Sequence, residues 1–433
     1  MSNKFNLLQT LACIACGDVL IDPITLSCGY TICAHCFSIS SPSSIKKSVF
    51  KCPAPHCDAE THLFGPEISQ DATITQLTHI LHQSITLEET DNTQIDPEMI
   101  IPLLSCSSCH HSISDPITTP CGHTFCRACV LRSKIENDAC SFCCRPLPKY
   151  SNLVSQSSNH TLSRLVKELQ LLGSLPSHPN GFNHQTNVPL FISDQVIFPG
   201  QHTQLLIHTP FQMTMLKESI MTCGQYHCPC LASIHRSQPQ VAKFGTLLQV
   251  MNIQRQNGAL VIDVVGMDRF RLKSYQDKES RLMADFEILG ESSLVPLSIE
   301  CAGNEDALVQ HTYITEYAIE LADTISQHIQ YLAQPSSIPS HLLHAQTAGL
   351  LGPLWLESMV SLHGPMPTRE NPAAVCWWTA TVLPIPINDA YVLLRTISLV
   401  DRLELVISWL QSYQSQWTQC RERAIYAYLQ VPQ

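Results

Sequence analysis

Apolar positions change texture four times along this 433-residue chain. Up to about residue 150 they are sparse and interleaved with cysteines, apart from one stripe at helical spacing: Ile74, Leu77, Ile80 and Leu81. A second stripe, Leu162, Leu165, Val166 and Leu169, closes this region. Asp71 and Asn159 stand where short polar side chains cap helices, so the pattern predicts helices over 71–85 and 159–172. Residues 173–186, rich in Ser, Pro, Gly, Asn and His, read as a linker.

From Asn187 the runs become short and β-like: Val188–Ile192, Val196–Phe198, Leu205–Ile207 and Leu231–Ile234. Gly245–Ile253 and Ala259–Val265 flank Gln256-Asn257-Gly258, a hairpin signal because Asn-Gly tolerates positive φ. The β-rich texture lasts to about residue 291, and beyond about 304 the pattern is helical. Its clearest stripe is Leu399, Val400, Leu403, Val406, Ile407 and Leu410 behind a capping Ser398. Strands followed by helices make 187–433 an α+β domain.

The cysteine-rich region is an internal repeat. A shift of 93 positions carries Cys13, Cys16, Cys28, Cys33 and Cys36 onto Cys106, Cys109, Cys121, Cys126 and Cys129, and Asp22-Pro23-Ile24-Thr25 onto Asp115-Pro116-Ile117-Thr118. The trailing helices match at an offset of 88. Fifteen of the 21 cysteines fall between Cys13 and Cys144, a concentration that belongs to these modules and not to the whole chain.

No convincing secretory signal is present, since Gln9 and Thr10 interrupt the apolar run after Lys4. No stretch is apolar enough for a membrane helix. A reducing, cytoplasmic setting is therefore expected, with nuclear entry left open, and clustered thiols there most often hold zinc. Net charge is −11, which removes the counterion-release drive of nucleic-acid binding, so neither nucleic acid nor membrane is an expected partner.

In the second copy, Cys106-x-x-Cys109, Cys121-x-His123, Cys126-x-x-Cys129 and Cys140-x-x-Cys143 supply eight donors, enough for two tetrahedral zinc ions. With Asp115–Cys126, these residues resemble a RING finger over 104–146. The resemblance implies alternating ligation: Cys106, Cys109, Cys126 and Cys129 around one ion, Cys121, His123, Cys140 and Cys143 around the other. The first copy, 8–64, resembles a degenerate RING. Cys13, Cys16, Cys33 and Cys36 complete one site, whereas Cys28, Cys52 and Cys57 lack a partner because Tyr30 stands where the ligand His belongs. A phenol with a pKa near 10 is a poor ligand. Three readings stay open: His62 or His56 supplies the fourth donor (His62 favoured by its spacing from Cys57), the position is held by water, or the site is empty. Four zinc ions are expected in all.

Val188-Pro189-Leu190-Phe191, Val196–Gly200, Gly245-Thr246-Leu247, Gly266–Arg271, Pro372–Leu383 and Asp401–Glu404 resemble the substrate-binding N-terminal domain of Lon proteases. Neither a Gly-x4-Gly-Lys-Ser/Thr loop nor a Ser–Lys catalytic domain is visible, so no protease or ATPase activity is expected. Cys223, His227, Cys228, Cys230 and His235 read as ordinary loop thiols and imidazoles, not a third kind of zinc site, and Trp377-Trp378 as helix core.

Two RING fingers ahead of such a domain resemble the LON peptidase N-terminal domain and RING finger proteins, although no tetratricopeptide period is visible between the RINGs. The resemblance implies a RING-type E3 ubiquitin-protein ligase. The second RING would recruit a ubiquitin-conjugating enzyme carrying ubiquitin, through an apolar groove built from Ile113, Ile117 and Pro146. Arg145 would clamp ubiquitin if Cys144, not Cys143, were the last ligand. Ser108 and Ser141 stand where active relatives carry an apolar residue and Pro, and Ala15 occupies the corresponding place in copy one. The first RING is expected to be a scaffold or RING–RING pairing surface, and the Lon-like domain to bind a protein substrate or regulator. A non-catalytic zinc scaffold is the competing expectation.

Overall fold

The computed structural model describes residues 7–38, 48–54, 57, 61–64, 69–87, 97–171, 175, 188–221, 230–236, 241–256, 259–278, 281–290, 305–333 and 353–429. The chain divides into two compact units, one containing both cysteine-rich modules and the other most of the chain after Gln185.

In the first unit, α1 (Leu7–Thr10) precedes a hairpin of β1 (Pro23–Thr25) and β2 (Thr31–Cys33), then α2 (Ala34–Ser38). A second small hairpin, β3 (Ser48–Lys51) with β4 (Thr61–Phe64), leads to α3 (Ala72–Leu87). The duplicated module follows α4 (Pro97–Ile100) with β5 (Pro116–Thr118), β6 (Thr124–Cys126), α5 (Arg127–Glu136), α6 (Tyr150–Ser155) and α7 (His160–Leu171). The two module hairpins share one register, Pro23↔Cys33 in the first and Pro116↔Cys126 in the second. The stripes predicted from sequence bury Ile74, Leu77 and Leu81 on α3, and Leu162, Leu165 and Leu169 on α7. Both caps form: the Ile74 N–H donates to Asp71 Oδ1 (3.0 Å) and the Leu162 N–H to Asn159 Oδ1 (3.1 Å).

One fastening is peculiar to the second module. The buried Arg127 pairs with Asp115 through Nε (2.6 Å) and Nη2 (3.1 Å), and its Nη1 donates to the carbonyls of Leu153, Val154 and Gln156. The guanidinium thereby ties the segment leaving the finger to its hairpin. Arg127→Ala is expected to cost about 2 kcal/mol, because it removes the donor that three carbonyls share, while Asp115 is partly solvated and keeps the Ser158 hydroxyl. Chemical denaturation monitored on this unit measures it; a loss below about 1 kcal/mol would show that water replaces the guanidinium.

The chain after Gln185 begins with β7 (Val188–Ser193) and β8 (His202–Ile207), then α8 (Pro210–Met221), β9 (Cys230–Arg236), β10 (Val241–Gln256), β11 (Ala259–Lys278) and β12 (Arg281–Leu289). The sheet order β10-β9-β7-β12-β11-β8, with β10 also pairing β11, closes the sheet on itself. β7 and β9 run parallel, whereas β9–β10, β11–β12 and β7–β12 are antiparallel. Two expectations change. Val196–Phe198 is not a strand: Ile197 and Phe198 are buried, but the Phe198 N–H bonds to Gln201 Oε1 in the turn at Pro199-Gly200. Helix α8 interrupts the strands, unannounced because its apolar residues make no sustained stripe.

The helical half contains α9 (Glu305–Leu332), α10 (Pro353–His363), α11 (Pro372–Val382), α12 (Ile387–Arg395) and α13 (Leu399–Leu429). Ser398 caps α13 through the Asp401 N–H. Ala318, Ala322 and Ile325 of α9 meet Leu403, Val406 and Leu410 of α13 in one core cluster with Trp377 and Trp378, the core role expected for that pair.

Candidate metal centres and the exposed face of the second finger

Four clusters of thiol and imidazole donors assemble among the described residues, each with its ligand atoms within 4.8 Å of one another. In the second finger these are Cys106, Cys109, Cys126 and Cys129, then Cys121, His123, Cys140 and Cys143. The alternation implied by the resemblance is thus the one the fold builds. Cys126 ends β6 and Cys129 lies one turn into α5, so the hairpin-to-helix junction sets half of one cluster. Cys106 and Cys109 come from a tight turn closed by the His110 N–H on the Cys106 carbonyl (2.8 Å), with His110 at φ 58°. The Cys140–Cys143 turn closes the same way, by the Cys144 N–H on the Cys140 carbonyl (2.9 Å). In the first finger the clusters are Cys13, Cys16, Cys33 and Cys36, then Cys28, Cys52 and Cys57.

The donors fit zinc. A Zn–S bond of about 2.3 Å makes the edge of a regular tetrahedron about 3.8 Å. The Sγ separations are 3.9 Å for Cys13–Cys36, 3.8 Å for Cys28–Cys52 and 4.0 Å for Cys109–Cys126. Backbone N–H groups point at sulfur, Ile21 at Cys33 (3.2 Å) and Ser114 at Cys126 (3.3 Å), as thiolate ligands require. Without a cation the thiols resist ionising together. Burial pushes Cys28 and Cys33 up to about 12 and Cys140 up to about 11. Burial also opposes the Cys13 thiolate, yet N–H groups of Cys16, Cys33 and Ala15 bring it down to about 7. A divalent cation resolves this conflict by holding all four donors deprotonated. Three of the clusters have four donors, which closes the coordination shell and makes the metal structural.

Tyr30, at the missing-ligand position, is accounted for. Its ring lies 4.3 Å from that of His160, so it packs instead of ligating. His62 stands on β4 opposite Phe50, its side chain outside the described residues, as is all of His56. If His62 completes the Cys28–Cys52–Cys57 site, His62→Ala lowers bound zinc by about one ion per chain, read by denaturing colorimetric assay. Unchanged zinc would leave that site to His56, to water or empty. Of the group around Cys223, the residues Cys223, His227 and Cys228 lie outside the described residues.

The expected docking groove needs correction. Ile113 is 3% exposed and Ile117 is fully buried, so both belong to the finger's core and offer no surface to a partner. Ile117 lies on β5, all of whose residues are buried, with Phe125 of β6 as its register partner. The exposed apolar group is Phe142, 69% accessible, whose ring stands 4.5 Å from that of His123. The signal for it was in the sequence: an aromatic inside the Cys140-x-x-Cys143 turn has no core within reach. Pro146 and Arg145 are exposed as expected. Cys143, not Cys144, joins the cluster, which leaves exposed Cys144 directly after the last ligand. Arg145, one residue further, donates from Nη1 to Ser69 Oγ at 3.2 Å. Ser141 holds Ser133 through their hydroxyls at 2.6 Å.

Comparison with known proteins finds three matching family models. The model of the ATP-dependent protease La (LON) substrate-binding domain matches residues 187–412. The C3HC4-type zinc finger (RING finger) matches 106–143, and a RING-type zinc finger matches 13–53. A LON peptidase N-terminal domain and RING finger protein of Schizosaccharomyces pombe is 21% identical, with 94% of each chain covered. The mouse E3 ubiquitin-protein ligase PDZRN3 is 39% identical over 72 residues, 16% of this chain and 6% of that protein. The rat E3 ubiquitin-protein ligase TRIM69 is 34% identical over 90 residues, 20% of this chain and 17% of that protein. With two RING fingers ahead of a LON substrate-binding domain that takes up the larger part of its length, the chain belongs to the LON peptidase N-terminal domain and RING finger protein family.

Proposed function

We propose that the chain is a RING-type E3 ubiquitin-protein ligase in which the second finger engages a ubiquitin-conjugating enzyme and the LON-like domain holds a protein substrate or regulator. The observation that carries the reading is the second finger's pair of complete, interleaved donor clusters, on a segment shared with relatives that are E3 ubiquitin-protein ligases. Such a finger needs no nucleophile of its own. The substrate's lysine amine attacks the thioester carbonyl of ubiquitin held on the conjugating enzyme, whose thiol leaves. The finger contributes proximity and orientation, a term that reaches several kcal/mol when reacting groups are fixed. Zinc supplies the rigidity of the platform.

Phe142, Pro146 and Arg145 form the exposed face offered to the charged enzyme. The LON-like unit offers a cleft of about 540 Å³ between Pro199-Gly200 and the start of α11, lined by His363, Asn371, Trp377 and Trp378 among others. We assign the substrate or regulator to that cleft.

The test is binding of a panel of conjugating enzymes to the intact chain and to Phe142→Ala. Loss of about tenfold or more in affinity with zinc unchanged supports the assignment, as expected for an exposed aromatic anchor. Equal binding removes Phe142 from the interface. A second reading, a non-catalytic zinc scaffold, is favoured by Ser108 and Ser141 and by the inward packing of Ile113 and Ile117. It requires that no conjugating enzyme in the panel binds.

A further inference from the structure

Reciprocal contacts join the two fingers. The segment leaving the first finger crosses to the second: the Ser69 N–H donates to the Pro120 carbonyl (2.9 Å) and the Ala72 N–H to the Gly122 carbonyl (2.9 Å). The segment leaving the second finger crosses to the first: the Ser157 N–H donates to Ser27 (3.3 Å) and the His160 N–H to Gly29 (2.8 Å). Each crossing segment also stays tied to its own hairpin, Asp71 N–H to the Pro23 carbonyl and Asn159 N–H to the Pro116 carbonyl, both at 2.7 Å. Both receiving turns need glycine. Gly29 and Gly122 have φ +83°, and a Cβ on either would lie 2.0 Å from the opposing carbonyl, of Ser158 or of Gln70. The two modules are therefore related by a local two-fold arrangement.

At its centre the symmetry is broken once. Asp71 and Asn159 are both fully buried, and Asn159 Nδ2 donates to Asp71 Oδ2 at 3.0 Å. Thr25 and Thr118 hydroxyls, equivalent by the repeat, donate to the same carboxylate oxygen at 2.7 and 3.0 Å. One acceptor facing one donor satisfies the pair. Two first fingers brought together in this way would oppose two buried carboxylates, and two second fingers would oppose two amide NH2 groups; each mismatch leaves buried polar groups unpaired. The Asp–Asn pair thus selects a first finger against a second, which one chain contains.

We infer that the first finger is the built-in second half of a RING pair, formed within one chain. The pairing rests on the contacts just described and deepens the ligase reading above by giving the second finger its partner. The first finger can lose its ligand His in this role, because Tyr30 serves the pairing instead by packing on His160.

The test uses the full-length, zinc-loaded chain in three forms: Asp71→Asn, Asn159→Asp and the exchange of both. Each single change keeps an oxygen for its own helix cap but sets donor against donor or carboxylate against carboxylate. Each is expected to lower the unit's folding equilibrium constant about tenfold or more, and the exchange to restore most of it. Equal, additive losses in the exchanged form would overturn the pairing, as would single changes without effect. The chain is expected to sediment as a monomer; a dimer that the single changes dissociate would move the pairing between chains and overturn it. A chain silent in ubiquitin discharge with the Asp–Asn coupling intact would remove the ligase reading and leave the pairing standing.

Discussion

Cys126→Ser is expected to release zinc from the second finger and to unfold that finger. The residue sits where three requirements meet: it ends β6, it precedes the first turn of α5, and its sulfur accepts the Ser114 N–H while belonging to the Cys106–Cys109–Cys126–Cys129 cluster. A serine hydroxyl does not ionise at neutral pH and is a hard donor among soft thiolates. Zinc in small fingers contributes about 10–16 kcal/mol of apparent binding free energy, much more than a core of this size supplies alone. Denaturing zinc assays should fall by about one to two ions per chain, and amide protection should vanish across β5, β6 and α5. Undiminished zinc would refute the ligand assignment.

The second large effect lies in the other unit. Trp377→Ala is expected to destabilise the LON-like domain by about 3–5 kcal/mol, the range for deleting a buried aromatic side chain. Its ring stacks on Phe198 (centroids 5.6 Å apart) and is covered by Arg269 (5.1 Å) and Arg402 (4.6 Å). Both arginines are 2–3% exposed, so the ring also separates two buried guanidiniums that attract its face. Arg269 keeps its donors to the Leu394 and Thr396 carbonyls, at 2.8 and 2.9 Å, and would therefore stay in place beside the cavity. Urea denaturation of the full chain should show the loss with zinc content intact, and Trp377→Phe should recover part of it. A loss below about 1 kcal/mol would mean that the arginines do not depend on the ring.

These two sites differ in how far the sequence announced them. Zinc ligation fixes donor type and spacing, so the donor pairs of the second finger are legible in the chain; which pairs share an ion is what the resemblance implies, and the choice of Cys143 over Cys144 comes only with the fold. The caps at Asp71, Asn159 and Ser398 were legible for a similar reason, since a cap is a local bond three residues long. The buried Arg269–Trp377–Arg402 stack was not legible. Its members are 25 to 133 positions apart, and nothing local marks an arginine that will be enclosed. The docking face needs correction at Ile113 and Ile117 because the resemblance supplies positions, not exposure: Ile113, just before β5, and Ile117, within it, both pack into the finger's core. Phe142 carried the missing signal. Likewise the sequence marks Asp71 and Asn159 as two caps, but their meeting across 88 positions depends on how the modules fold back on one another.

Reconstituted ubiquitin transfer tests the central claim most directly. The intact chain and His123→Ala are each incubated with activating enzyme, ubiquitin and a panel of conjugating enzymes. Ubiquitin ladders from the intact chain that disappear with His123→Ala are the predicted result, placing activity in the second finger. Silence of the intact chain with every conjugating enzyme, while zinc remains bound, would contradict the ligase reading and leave a zinc scaffold in its place.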